Sequence, residues 1–333
     1  MTSKDNYDAV VIGGGAAGLN GALMLARSRR SVAVIDAGAP RNAPADGVHG
    51  LLGREGMPPS ELLERGRGEV RGYGGEIVHG EVTTVDRDGA GFAVALADGR
   101  LLGARRLLVT TGLVDRLPAI AGLRERWGRE VLHCPYCHGW EVRDKAIGVI
   151  ATAPMSAHQA QLFRQVSADV VYFAHDAAPL DAEQARRLAA RGIRVVDGEV
   201  ASVVVADDRL RGVRLADGTV VERDALVVAT RMEARGGFLA ALGLSPVPHP
   251  SGMGEYVPSQ AAGATDVPGV WVAGNITDLT AQVGAAAAAG ALAGAQINAD
   301  LVDEEIDRAV AAAREPFSAA SEAEASAAVT TAT

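Results

Sequence analysis

Cys134 and Cys137 stand three positions apart in the stretch Cys134-Pro135-Tyr136-Cys137-His138-Gly139-Trp140-Glu141, and the 333-residue chain holds no other cysteine. In such a C-x-x-C unit one thiolate attacks and the other resolves, with the surroundings lowering the pKa of the attacker. A purely structural disulfide across so short a loop would stabilise little. A zinc site would need two more soft ligands, and the sequence offers no second C-x-x-C or H-x-x-H, so no metal is expected. The pair therefore points to thiol–disulfide redox chemistry. His138 adjoins Cys137, titrates near neutral pH and can take the proton of an incoming thiol. Cys134, Cys137 and His138 are the expected catalytic residues, with His133 as a candidate assistant.

The N-terminal region predicts a dinucleotide site. Residues 9–12 read as a short buried strand, Gly13-Gly14-Gly15-Ala16-Ala17-Gly18 as a glycine-rich turn, 19–28 as a helix, and 32–35 as a second strand ending in Asp36. Gly13 permits the tight turn, Gly15 lets the backbone approach a pyrophosphate, and Gly18 lets helix and strand pack closely. The N–H groups and dipole at the helix start favour phosphate. Ala16 and Ala17 lie in the same turn, and Asp36 stands where adenosine ribose hydroxyls would lie. The full fingerprint predicts FAD rather than FMN.

These motifs sit in a chain long enough for two domains. Hydrophobic residues make up 48%, and 40 glycines suit an α/β protein rich in tight turns. The charge balance, 32 basic against 41 acidic residues, gives −9 and argues against a nucleic-acid or anionic-membrane partner. No signal peptide and no membrane-spanning apolar run is read, so a cytoplasmic setting is expected, where a lone C-x-x-C is more often catalytic than structural.

Residues 40–56 are Gly/Pro-rich and irregular. Arg41 and His49 in this segment are candidates to wrap the cofactor, or simply part of a solvated loop. An amphipathic helix over 61–73 is followed by strands at 76–86, 92–96 and 105–109. Val82 in the first of these, and Thr111-Gly112 after the last, are further cofactor candidates. Strands at 226–230 and 271–275 follow, the latter ending in Gly274-Asn275. An Ala-rich helix over 281–314 has a core of small residues suited to close packing under a cofactor or at a subunit interface. Beyond Pro316 a disordered tail is expected.

The order G-x-G-x-x-G, T-T-G, C-x-x-C, then A-G-N before an Ala-rich helix resembles the low-molecular-weight thioredoxin reductase family of flavoproteins over residues 7 to 315. The resemblance implies two Rossmann-like, three-layer α/β domains. A discontinuous FAD-binding domain would span 7–115 and 231–315, and an inserted NAD(P)H-type domain with the redox pair would span 116–230, leaving 316–333 as tail. It further implies that Cys137 is the flavin-proximal thiol and Cys134 the interchange thiol. Asn275 takes the position of the family's ribityl-binding Asp, Gln282 and Val283 lie near the flavin pyrimidine ring, and the protein is a homodimer.

Two departures from that family redirect the functional expectation. The nucleotide turn of the inserted domain should read G-x-G-x-x-A, yet the chain has Ala151-Thr152-Ala153-Pro154-Met155-Ser156. Both phosphate-facing glycines are gone, and Pro154 removes a donor N–H. The arginines expected after the next strand are replaced within His175-Asp176-Ala177-Ala178-Pro179-Leu180-Asp181, and acidic groups there repel a phosphate. An NADH-tuned site is the bland alternative. His138 stands where thioredoxin reductases usually carry Asp. A C-x-x-C-H-G-W-E motif with a degenerate nicotinamide site is similar to the dithiol oxidases of gliotoxin and holomycin biosynthesis. That resemblance implies a small-molecule dithiol as substrate and O2 as electron acceptor, giving hydrogen peroxide. The alternative is an NAD(P)H-dependent disulfide reductase serving a thioredoxin-like protein. Asp278 is a candidate to orient His138.

Overall fold

The structure is a computed structural model that describes residues 5–314; the expected disordered tail lies outside the described residues. The α/β class is as expected. The first sheet is built on β1 (Asp5–Ile12), which passes through a glycine turn into α1 (Ala16–Arg27) and returns as β2 (Val32–Asp36). Helix α2 (Pro59–Gly72) precedes β3 (Glu76–His79), β4 (Val82–Asp88), β5 (Gly91–Leu96) and β6 (Leu101–Val109). The strand order is β3-β2-β1-β6-β5-β4. Strands β1, β2, β3 and β6 are mutually parallel; all five residues of β2 are buried, while β3, at the sheet edge, is only partly covered.

The single strand expected over 76–86 is two. The chain pairs parallel with β2 as far as His79, turns at Gly80, and pairs antiparallel with β5 from Val82. β3 and β4 stand at opposite edges of the sheet, which one straight strand cannot occupy.

Strand β7 (Leu113–Arg116) then leads into a second structural unit. It contains β8 (Val131–Leu132), the short helix α3 (Pro135–His138), β9 (Ile147–Ile150), α4 (Ser156–Phe163), β10 (Val170–Phe173), α5 (Ala182–Ala190) and β11 (Arg194–Val196). An antiparallel trio, β12 (Val200–Ala206), β13 (Arg209–Leu215) and β14 (Val220–Glu222), precedes β15 (Ala225–Val228). The second sheet runs β11-β10-β9-β15-β8, all parallel. Strand β16 (Arg231–Ala234) pairs antiparallel with β7, so the chain enters and leaves this unit through one two-stranded ribbon.

After a short hairpin, β17 (Val247–Pro248) with β18 (Glu255–Tyr256), the chain adds β19 (Val270–Val272) to the first sheet. β5 pairs with the first half of β6 and β19 lies beside its second half. The apolar cores are separate. Those of the first sheet draw on residues before Val109 and after Leu239, and those of the second lie between Ile120 and Val228.

The long helix α6 (Val283–Arg314) closes the first unit. Its small residues serve the chain itself: a methyl group on Gly290 would collide with the Ala17 carbonyl of α1, and one on Gly294 with that of Gly21. Close approach of two helices, rather than a subunit contact, accounts for those glycines.

Candidate functional site

One cavity of about 1110 Å³ runs between the two units, and every residue singled out from the sequence as cofactor-contacting or catalytic lines it. Its lining includes Gly13, Gly15, Ala16, Ala17 and Asp36 of the dinucleotide turn, then Arg41, His49, Val82, Thr111, Gly112, Gly274, Asn275, Gln282 and Val283, together with Cys134, Cys137 and His138.

The dinucleotide end fits FAD on its own geometry. Gly13 has φ +115°, and a Cβ there would strike the Thr110 carbonyl, so only glycine serves. A Cβ on Gly15 would meet nothing. Helix α1 starts from Gly15 with no side-chain cap, which leaves its first N–H groups for a ligand. The Asp36 carboxylate is held by the Gly38 N–H at 2.9 Å and by Arg67 at 3.4 Å.

Arg41 lines the cavity, but its guanidinium is engaged with protein. Nε and Nη2 donate to the two Asp115 oxygens at 2.6 and 2.8 Å, and Nη1 reaches Asn275 Oδ1 at 3.5 Å. Thr230 Oγ1 donates to the same carboxylate at 2.6 Å. Burial alone would raise the Asp115 carboxyl, but Arg41 and Thr230 outweigh it and hold it below the usual carboxylate range. Asn275 donates its amide N–H groups to the Asp278 and Ala281 carbonyls at 3.0 and 2.9 Å. An Asp could accept there but not donate, so the Asn is suited to this loop.

Cys134 and Cys137 are joined as a disulfide with Cα atoms 5.3 Å apart. Cys134 caps α3, Pro135 begins it, and the His138 N–H donates to the Cys134 carbonyl at 3.2 Å. Pro135 at the first helical position fixes φ without losing a needed donor, so the pair and His138 share one tight turn. Burial holds the His138 ring below the ordinary histidine pKa; Glu141 and Asp46 oppose that shift and His49 adds to it. His138 is thus a neutral base near pH 7. His133 is pushed down to about 4, chiefly by burial, and stacks on Trp127 at 5.8 Å.

Asp278, considered as an orienting partner, turns to Thr280 instead, accepting from its N–H and hydroxyl at 3.0 and 2.8 Å. The carboxylates that act on His138 are Glu141, which sequence reasoning quoted in the motif without a role, and Asp46. Asp115 and Thr230 were missed altogether: both sit on or beside the connecting ribbon, and no local pattern marks them. Among the described residues no helix is long and apolar enough to cross a membrane, and no group of acidic, His or Cys side chains could hold a metal.

The family model for pyridine nucleotide-disulphide oxidoreductases matches residues 7–313. The chain belongs to that family. Thioredoxin reductase tcpT of Claviceps purpurea is 30% identical over 320 residues, covering 90% of this chain and 97% of its own length. Thioredoxin reductase sirT of Leptosphaeria maculans is 29% identical, covering 89% and 95%. Among solved structures, HlmI superposes with a TM-score of 0.89 at 47% identity, covering 96% of this chain and 99% of HlmI. An oxidoreductase from Agrobacterium tumefaciens gives a TM-score of 0.83 at 34% identity, covering 89% and 99%. The chain is a thioredoxin reductase-like oxidoreductase and an FAD-binding flavoprotein.

Proposed function

We propose that this protein is an FAD-dependent dithiol oxidase that closes a disulfide within a small molecule, with O2 as the final acceptor. In this reading residues 7–115 with 231–315 hold FAD, 116–230 carry the redox pair, and the protein acts as a homodimer.

The observation that carries the reading is Ser156. Its side chain is fully buried, and its Oγ accepts the N–H groups of both Thr152 and Ala153 at 3.2 Å. In a nucleotide-binding turn those amides would face a pyrophosphate. Here the chain's own hydroxyl takes them. Thr152 is also tied to β15, its Oγ1 donating to the Ala229 carbonyl at 3.0 Å. Beyond the next strand, Asp181 caps α5 by accepting from Gln184 N at 2.7 Å. The His175 ring accepts the Val200 N–H at 3.1 Å. No cationic side chain replaces the missing arginines in that stretch, and a nicotinamide electron donor is therefore disfavoured.

The electrons then enter from thiols. Neutral His138 accepts the proton of one substrate thiol, and the thiolate attacks one sulfur of the Cys134–Cys137 bond. That bond breaks and the other cysteine leaves as thiolate, which in this reading is Cys137. The second substrate thiol is deprotonated and displaces the enzyme sulfur, closing the product disulfide. Two electrons now rest on the cysteine pair, and two protons have left the substrate. When bound, FAD supplies the two-electron carrier between the reduced pair and oxygen, which departs as hydrogen peroxide.

Anaerobic mixing followed by air tests this. A small dithiol should bleach the flavin without oxygen, and air should restore the yellow colour with peroxide release. NADPH and NADH should leave the spectrum unchanged. Rapid bleaching by either nucleotide would replace this reading with a nicotinamide-dependent disulfide reductase.

A further inference from the structure

Resting on the redox role of the Cys134–Cys137 pair, we propose that Gln159 is a positioning residue for it: its side-chain amide holds the peptide before Cys134 in the orientation from which the pair closes. Gln159 Nε2 donates to the His133 carbonyl at 3.0 Å, across 26 residues of chain. A carbonyl can only accept, so the amide must present its nitrogen there. The other amide atom, Oε1, is buried and meets no donor among the described residues. A buried amide satisfied on one side only costs stability. Packing therefore gives no reason for a glutamine at this place, whereas the bond to His133 does.

The need for such a hold lies in how the pair is mounted. Strand β8 is an edge strand of two residues, paired in the sheet with β15 at Val131 and Leu132. The ladder ends there, and His133 is the single residue between it and Cys134. Cys134 is extended, with φ −112° and ψ 120°, and caps α3 without a side-chain hydrogen bond. Its carbonyl accepts the His138 N–H at 3.2 Å, and Pro135 fixes the next φ. The turn is thus held from Cys134 onward, and Gln159 holds it from the side of the strand. The holder is itself anchored. Helix α4 buries Ala157, Ala160 and Phe163 in the core of the second unit, and Ser156 Oγ closes its start on the Thr152 and Ala153 N–H groups.

A pre-aligned pair resists reduction, because its two thiols stay at high effective concentration and close again readily. Closing joins two thiols in one Sγ–Sγ bond, with two electrons and two protons leaving and the electrons bound for the flavin. Freeing the peptide between His133 and Cys134 lets Cys134 swing away from Cys137. The disulfide then becomes easier to reduce and slower to re-form.

The experiment equilibrates the flavin-loaded protein, without oxygen, in dithiothreitol and its cyclic disulfide at stepped ratios from pH 5 to 8.5. Free thiols are trapped by alkylation and counted by mass spectrometry. The chain holds no other cysteine, so the count reports this pair alone. The enzyme disulfide gains the two electrons and two protons that dithiothreitol loses. Gln159→Leu should be half-reduced at a dithiol-to-disulfide ratio about tenfold below that of wild type, or about 30 mV in potential. Its thermal midpoint should change little, since the stranded His133 carbonyl is offset by removal of an acceptor that had no donor. Gln159→Glu separates the hydrogen bond from side-chain shape. Ionised, the new carboxylate cannot donate and should shift the ratio as Gln159→Leu does; protonated, its O–H can donate and should restore the wild-type ratio. Burial raises such a carboxyl, so the shift should stand at pH 8.5 and shrink toward pH 5. A packing defect would not titrate. Ratios within about twofold of wild type in both variants, or equal shifts in both at every pH, would overturn the proposal. Bleaching by a nicotinamide nucleotide would sink the oxidase reading alone, because this equilibrium follows only the cysteine pair.

Discussion

Arg41 grips both oxygens of Asp115, with Nε–Oδ2 at 2.6 Å and Nη2–Oδ1 at 2.8 Å, and so ties the irregular loop of the first unit to the ribbon that leads into the second. The Asp115 side chain is only 7% exposed. Removing one partner of a buried pair strands the other charge and costs roughly 3–5 kcal/mol. Asp115→Ala should therefore lower the thermal midpoint strongly, while Asp115→Asn, which keeps an acceptor for Thr230, should cost less. The pH dependence has a definite sign. The folded-state pKa of Asp115 lies below its unfolded value, so the pair's contribution is complete above the unfolded carboxylate pKa, about 4. It is lost as pH falls below that through the lowered folded value. Acid unfolding of wild type and Asp115→Asn should therefore converge below about pH 4. Curves that stay equally far apart there would show that the ion pair contributes nothing.

Ser156→Ala separates the self-capped turn from a dormant nucleotide site. The substitution removes the acceptor of two partly buried N–H groups, a loss of at most about 1–3 kcal/mol. Stability should fall by that order in chemical denaturation. Affinity for NADPH should not appear, because the turn still lacks its glycines and the next strand still ends in acids. Tight NADPH binding by the variant, measured by calorimetry, would mean that Ser156 alone had been blocking a working cradle.

The redox pair and the dinucleotide turn were legible because each is a local rule: a spacing inside one helical turn, or glycines between one strand and one helix. The departure of the Ala151–Ser156 turn from the family pattern was legible as missing glycines, but the sequence could not show that the Ser156 hydroxyl accepts the N–H groups of Thr152 and Ala153. The Arg41–Asp115–Thr230 cluster was not legible, since its members come from three segments brought together only by the ribbon of β7 and β16. The antiparallel trio β12–β14 was overlooked although Asp207-Asp208 carries a turn signal; both residues adopt φ near +53°, at 52° and 54°. The small residues of α6 read as close packing under a cofactor or at a subunit interface; Ala286 lines the cavity, whereas Gly290 and Gly294 pack against α1 of the same chain, a partner the sequence does not reveal.

The outer face of α6 carries the homodimer expectation instead. Val302, Ile306 and Val310 recur at helical spacing and are 38%, 53% and 44% exposed. A stripe of apolar side chains one turn apart is suited to burial against another surface. Light scattering should give a dimer for the wild type and a shift toward monomer for Ile306→Glu, since a buried unpaired charge is costly. A monomeric wild type at micromolar concentration would remove the homodimer from the proposed function.

The assignment of roles within the redox pair can be read from colour. In the proposed function Cys137 faces the flavin and Cys134 meets the substrate. Cys134→Ser then leaves Cys137 as a lone thiol at the cofactor, and its thiolate should give a long-wavelength charge-transfer band. Cys137→Ser should lack the band yet keep a Cys134 thiol that forms a mixed disulfide when a small disulfide is added, the displaced half leaving as a thiol. His138→Gln in the Cys134→Ser background adds a second check. If neutral His138 is the base that serves the pair, the pH at which the band develops should move when the ring is removed. It should not move if thiolate formation depends only on the surrounding backbone and the flavin. A band in Cys137→Ser and none in Cys134→Ser would reverse the two cysteines.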